Sequence, residues 1–251
     1  MTILTIFTIA VVTFAYLAVG IMFLGSFIVV LRWIFKKKGP TNTYLGYPNL
    51  FTYSGQNTRL QAVKNMLSRM LLFSSAKDDP FVRYTGLAFH WSLWIIILAH
   101  SDLILMPYFA AAGVSEITME AIGAYLGTTL AFVMVGSGLM LVGRRVLNPY
   151  LRKISNASDY FSILLIVGIG ITGILMRFIL PADFAYAQVS PFILSLFSFA
   201  PIAVPYAPIF IVHFLLTLTL LAYLPLSKLV HPYAFFTSPT ICSISHQGEV
   251  Q

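Results

Sequence analysis

Four histidines stand where ionisable side chains are costly. His90 and His100 lie ten residues apart in one apolar run, and His213 and His231 lie eighteen apart in and just after the last one. The chain has only five histidines, so four fall in or at the ends of stretches long enough to span a bilayer. An ionisable group at that depth marks a functional site. Neutral imidazole is a metal ligand, and two helices that each carry two make two bis-histidine sites. That is the ligand set for a pair of b-type haems, which need axial side chains and no covalent link. The plain alternative for any one of them is a hydrogen-bonded residue at the interface. Two and two at compatible depths argue against it. His246 sits in a polar tail without a counterpart and reads as that plain residue.

The elements that must hold these side chains follow from composition. Hydrophobic residues make up 59% and charged residues 9% of 251 positions, far from soluble proportions. Spans of about 20 residues are predicted at 6–35, 84–106, 122–142, 160–180 and 205–229. The fold class is an all-α integral membrane protein, a five-helix bundle. The first span is longer than a bilayer requires, so it tilts or projects into water. It lacks a basic start and is too long for a signal-peptide core, so it is expected to stay as an uncleaved span. No internal repeat or low-complexity tract interrupts the pattern.

Orientation follows from the basic residues. Fourteen of the fifteen flank spans or lie in joins on one side; only Arg177 lies on the other. That rule predicts an outside N-terminus, a cytoplasmic C-terminus and an odd number of spans. The net charge of +7 then reflects membrane topology, not nucleic-acid binding. The expected organisation is a membrane domain over 1–233, with a cytoplasmic loop at 36–83, and a cytoplasmic tail over 234–251.

Direction sets depth. Span two runs outward, so His90 is inner and His100 outer, roughly 15 Å apart along a helix. Span five runs inward, so His213 is outer and His231 inner. The pairs are therefore His90 with His231 and His100 with His213. Eighteen residues of helix rise roughly 27 Å, well beyond the span-two separation. A tilt, or a kink at Pro225, would reduce the mismatch, and the helix must continue to about Pro232 to deliver His231.

Supporting residues are fewer. Haem propionates need cationic partners, and Arg83, Arg144, Arg145 and Lys228 are available on the inner side. Arg177 stands alone on the outer side, where topology does not demand it, and could meet a propionate or a quinone oxygen. Asp102, two residues past His100, could take protons at the outer face; its alternative is a solvated helix end. Gly136, Gly138, Gly168, Gly170 and Gly173 suit close helix packing or room for a macrocycle. Met106 and Met176 read as packing. Cys242 is the only cysteine. One thiol excludes a four-cysteine iron–sulfur site and an internal disulfide, and no Cys-x-x-Cys-His run is present for covalent haem. No nucleotide-binding loop or hydrolase motif appears, so any soluble redox chemistry sits on a partner.

With these spacings in hand, the chain resembles the gamma subunit of respiratory nitrate reductase, a five-helix cytochrome b. That family carries its four haem ligands at the same ten and eighteen spacings on helices two and five, matched here by His90, His100, His213 and His231. The resemblance covers about residues 1–233. The long loop 36–83 and the run Phe235-Phe-Thr-Ser-Pro-Thr240 are similar to the DsrM group, membrane cytochromes of a sulfite-reduction-associated complex. Related cytochromes serve membrane-bound heterodisulfide reductases. The resemblance implies a cytoplasmic iron–sulfur partner like a heterodisulfide reductase subunit, a multihaem c-type subunit, a periplasmic iron–sulfur subunit and a second membrane subunit.

The resulting expectation is a di-haem b subunit of a quinone-linked oxidoreductase in a prokaryotic inner membrane. Two haem b groups would connect menaquinol, near the outer haem, with the cytoplasmic partner, in dissimilatory sulfur metabolism. It would be the electron-transfer part of an enzyme complex, without a complete activity of its own. Within the same class, the alternatives are the cytochrome b of a nitrate reductase or of a membrane heterodisulfide reductase. From other classes they are a histidine-relay proton channel or transporter and a haem-free anchor. Few acidic partners accompany the histidines inside the spans, which weakens the relay reading.

Overall fold

A computed structural model describes residues 3–35 and 59–231. The described residues are helical, with no strand among them. The expectations that concern the tail 234–251, Cys242, His246 and most of the loop before Arg59 lie outside the described residues. Among the described residues five helices are long and apolar enough to cross a membrane: Ile3–Arg32, Pro80–Ala99, Glu116–Leu147, Ala157–Ile179 and Pro208–Leu226. In a bilayer only such hydrogen-bonded segments satisfy their own backbone.

The first span is helix α1 (Ile3–Phe35). A shorter basic helix, α2 (Arg59–Leu72), precedes the second span. Helix α3 (Pro80–Ala99) starts where Asp79 accepts from the Val82 N–H at 3.1 Å and Pro80 takes the first position, where no N–H is needed. Helix α4 (Asp102–Ala111) follows directly. Helices α5 (Glu116–Ile122) and α6 (Thr128–Leu147) form one span through a π-helical turn at Gly123–Gly127. The short α7 (Pro149–Ile154) leads to α8 (Ala157–Ile179), which opens on a capping box between Asn156 and Asp159. A π turn at Ala185–Val189 and α9 (Ser190–Phe197) form a further apolar segment, too short to be expected as a span. Helix α10 (Pro208–Tyr223) follows.

Two expected spans are interrupted. The stretch 84–106 breaks after Ala99. There the Ser101 N–H and hydroxyl both bond the Leu98 carbonyl, at 3.1 and 2.7 Å, one residue tighter than helical register. The helix expected to reach about Pro232 stops at Tyr223. Pro225 has no N–H to continue the ladder, and two 3₁₀ turns follow, Leu224–Leu226 and Lys228–Val230.

Neighbours pack in the order α3 on α6, α6 on α8, α8 on α10 and α10 on α1. At the α6–α8 seam, small residues let the helices meet. A Cβ on Gly138 would lie 2.7 Å from Val167, and one on Gly170 would lie 2.6 Å from Met134. Among the described residues α3 and α10 are not a closely packed pair. The two histidine-bearing helices therefore face one another across a gap.

Charged side chains join the helices at one end of the bundle. Arg144 meets Asp79 at 2.6 Å, and Lys228 meets Asp159 at 2.7 Å. At the opposite end the Tyr186 hydroxyl donates to Asp102 at 2.9 Å, and Ser190 donates to the Leu103 carbonyl. An aromatic core including Phe184, Phe192 and Phe210 packs α10 against Val11 and Val12 of α1.

Candidate functional site

The histidines meet in two pairs across the α3–α10 gap. The ring centres of His90 and His231 are 6.1 Å apart, with planes inclined at 73°. Those of His100 and His213 are 6.4 Å apart, with planes inclined at 13°. A metal–imidazole bond is about 2 Å long. With each ring centre a further ~1 Å behind its nitrogen, two imidazoles on opposite sides of one metal have centres roughly 6 Å apart. Both pairs fit that spacing.

Hydrogen bonds fix which nitrogen is free. His90 Nδ1 donates to the Gly86 carbonyl at 2.8 Å, His100 Nδ1 to Ile96 at 2.7 Å, and His231 Nδ1 to Lys228 at 3.0 Å. His213 Nδ1 faces the Ile169 carbonyl at 3.1 Å and the Thr172 hydroxyl oxygen at 3.0 Å. The Thr172 hydroxyl spends its proton on the Gly168 or Ile169 carbonyl, both 2.9 Å away, and so accepts from the imidazole. A carbonyl oxygen only accepts, so each Nδ1 carries the proton and each Nε2 keeps its lone pair. Among the described residues no Nε2 has a hydrogen-bond partner. Orientation through the second nitrogen is the usual arrangement of a metal-ligating histidine.

No cluster of three or more His, Cys, Asp or Glu side chains able to hold a metal ion occurs among the described residues. Two opposed imidazoles per site suit a metal whose equatorial ligands come with a macrocycle, as in b-type haem. The residues present therefore fit two such groups.

Neighbouring residues shape each pair. Phe73 has a left-handed backbone (φ 49°), uncommon for a bulky side chain. Its ring lies 4.9 Å from His90 and over Gly86, where a Cβ would meet it at 3.0 Å. At the other pair a Cβ on Gly173 would lie 3.3 Å from His213. Gly173 thus leaves room at a histidine, whereas Gly138 and Gly170 serve helix packing. Gly168 has only Leu216 within range, at 3.8 Å, and Gly136 has nothing within 4 Å.

The basic candidates are engaged with protein groups. Arg83 Nε donates to the Leu72 carbonyl at 3.3 Å, and Arg144 is paired with Asp79. Arg145 donates to Ser155 at 3.0 Å and lies 4.0 Å from Asp159, and Lys228 is paired with Asp159. Arg177 makes no ion pair among the described residues; its guanidinium lies against Gly123, where a Cβ would meet it at 2.6 Å. Asp102 accepts from Tyr186, a partner on a distant segment. Burial, and then the Asp102 carboxylate, hold the Tyr186 phenol well above its usual range, so it is the proton donor of that bond. Beside the bond, Tyr186, Met106, Glu116 and Ser190 line an open cavity of about 140 Å³.

Several of these residues carry no sequence signal. Thr172, Phe73, Gly86 and Tyr186 are ordinary members of apolar runs until the packing of α3, α8 and α10 is known. Only the i, i+4 relation of Gly86 to His90 could have been read directly.

The chain is similar to known proteins. The chain is 35% identical over 178 residues to the Hdr-like menaquinol oxidoreductase cytochrome b-like subunit of Archaeoglobus fulgidus, covering 66% of this chain and 52% of that protein. It is 29% identical over 176 residues to the subunit of the same name from Archaeoglobus profundus, covering 65% and 50%. The chain thus spans about half the length of the curated relatives it matches. The family described as nitrate reductase gamma subunit matches residues 74–245, a stretch that contains all four paired histidines and most of the bundle. This multi-pass membrane chain belongs to the nitrate reductase gamma subunit family.

Proposed function

We propose that this chain is the di-haem b membrane subunit of a quinol-linked oxidoreductase. One observation carries the reading: two opposed histidine pairs, each spaced for one metal and each with both Nδ1 atoms turned to protein acceptors. His90 and His231 would hold the inner haem, and His100 and His213 the outer one. When bound, the haems supply one-electron transfer between the two faces of the membrane. The chain would supply the imidazole Nε2 atoms, and it fixes their tautomers and surrounds them with apolar helices.

Menaquinol is the electron donor in this reading, supported by the printed names of the relatives. Its head group binds at the end that carries Asp102, Tyr186 and Arg177. There Asp102 accepts a proton, and Arg177 meets a quinone oxygen or a propionate by a charge-assisted bond. The orientation follows the basic residues: N-terminus outside, and the end that carries Arg83, Arg144, Arg145 and Lys228 cytoplasmic. The membrane domain covers 1–233, and the tail 234–251 is cytoplasmic. The partner at that end is an iron–sulfur subunit of the heterodisulfide reductase type, within a larger complex that serves dissimilatory sulfur metabolism in a prokaryotic inner membrane.

The test is the absorption spectrum of the purified full chain. Reduced b-type bands with two haems per chain are expected. Protein without b-type bands would contradict the reading and return the histidines to a relay or anchor role.

A further inference from the structure

His231 is not delivered by α10. Helix α10 ends at Tyr223, and two 3₁₀ turns cover the distance, with Ser227 extended between them (φ −124°, ψ 174°). Short 3₁₀ pieces are poorly bonded internally, so this connection needs outside support to hold an axial ligand in place.

Two contacts provide it. The first is with α1. Pro225 is buried, and a Cβ on Gly25 would lie 2.7 Å from both its Cβ and its Cγ. Gly25 is therefore the seat of the proline that ends α10. The second is with α8. The Asp159 carboxylate is 9% exposed and binds the Lys228 ammonium at 2.7 Å through one oxygen. Its other oxygen accepts the Asn156 N–H at 3.0 Å, which fixes the carboxylate to the start of α8. Lys228 is also the residue whose carbonyl accepts from His231 Nδ1. Asp159, Lys228 and the imidazole thus form one continuous chain of contacts.

We infer that Gly25 and Asp159 are positioning residues for the inner iron ligand His231, acting through Pro225 and Lys228. This rests on the assignment of His90 and His231 to one haem. An ion pair whose lysine is largely exposed stabilises little on its own; here its role is geometric. The lysine is clamped at its ammonium while its backbone oxygen orients the ring.

The experiment uses the purified full chain with both haems, read by reduced-minus-oxidised spectra, redox titration and electron paramagnetic resonance. The variants are D159N, K228M, K228R and G25A. The D159N side chain keeps an amide oxygen for the Asn156 N–H, so the start of α8 stays capped. D159N, K228M and G25A should each lower inner-haem occupancy or change its resonance signature, and leave the outer haem unchanged. K228R should restore the inner haem. A pure field effect would move the inner potential in opposite directions in D159N and K228M, with occupancy and signature intact; that result overturns the inference. So does a normal inner haem in all three variants, or equal loss of both haems. H231A separates the two levels. If H231A retains both haems, the ligand assignment itself falls. If it removes only the inner haem while D159N, K228M and G25A leave that haem untouched, the positioning role alone falls.

Discussion

Each imidazole is committed at Nδ1, and that commitment decides what its other nitrogen can do. A ring whose Nδ1–H is spent on Gly86, Ile96, Ile169 or Lys228 presents an Nε2 lone pair and no second proton. A proton relay needs the opposite freedom, a ring able to take a proton on one nitrogen and release it from the other. The hydrogen bonds therefore favour ligation. At the other end of the bundle, the Asp102 carboxylate is held by Tyr186 beside a cavity. Asp102→Asn keeps an oxygen for the tyrosine but loses the proton acceptor. It should slow haem reduction by a quinol analogue by about a hundredfold, the ordinary contribution of a positioned base, while both haem spectra stay normal. Arg177→Ala should slow it as well. Stopped-flow reduction of the purified chain checks both. Unchanged rates in both variants would move the quinol site elsewhere.

At the scale of elements, α6 and α8 are the wall against which the histidine helices are set. Their seam depends on two absent side chains, at Gly138 and Gly170. Gly170→Val should overpack the contact with Met134 and Val135 and cost about 1–3 kcal/mol of stability. Gly136→Ala, with nothing within 4 Å, should be nearly neutral. Thermal melts of the two variants give the comparison.

The same elements show what the sequence could carry. Five spans were legible because hydropathy over about 20 residues is a strong signal. The proximity of His90 to His231 and of His100 to His213 was legible because alternating helix direction sorts four positions by depth. The breaks were not. Ser101 ends α3 through hydrogen bonds to a single carbonyl, which no composition reveals. Pro225 reads equally as a kink or an end, and only its seat on Gly25 decides. The unbroken helix assumed between His213 and His231 does not form, because α10 ends at Tyr223. Thr172 and Tyr186 are not legible in the sequence, because their role depends on which face of one helix sees another.

At the scale of the molecule, two histidine pairs on a bundle with five membrane-crossing helices among the described residues fit the proposed charge-carrying connection between two compartments. The basic end, where Arg144, Arg145 and Lys228 gather with Asp79 and Asp159, is the natural face for a cytoplasmic partner. Truncation after Pro232 should leave both haems in place and weaken copurification of the iron–sulfur subunit; an undiminished complex after tail removal and loop shortening would contradict that role. The central claim is the pairing itself, and four single variants test it most directly. Reduced-minus-oxidised spectra of His90→Ala, His100→Ala, His213→Ala and His231→Ala should sort into two classes, each missing about half of the bound haem. His90→Ala and His231→Ala should lose one spectral component, and His100→Ala and His213→Ala the other. Loss of the same component in His90→Ala and His213→Ala, with the other intact, would contradict the account.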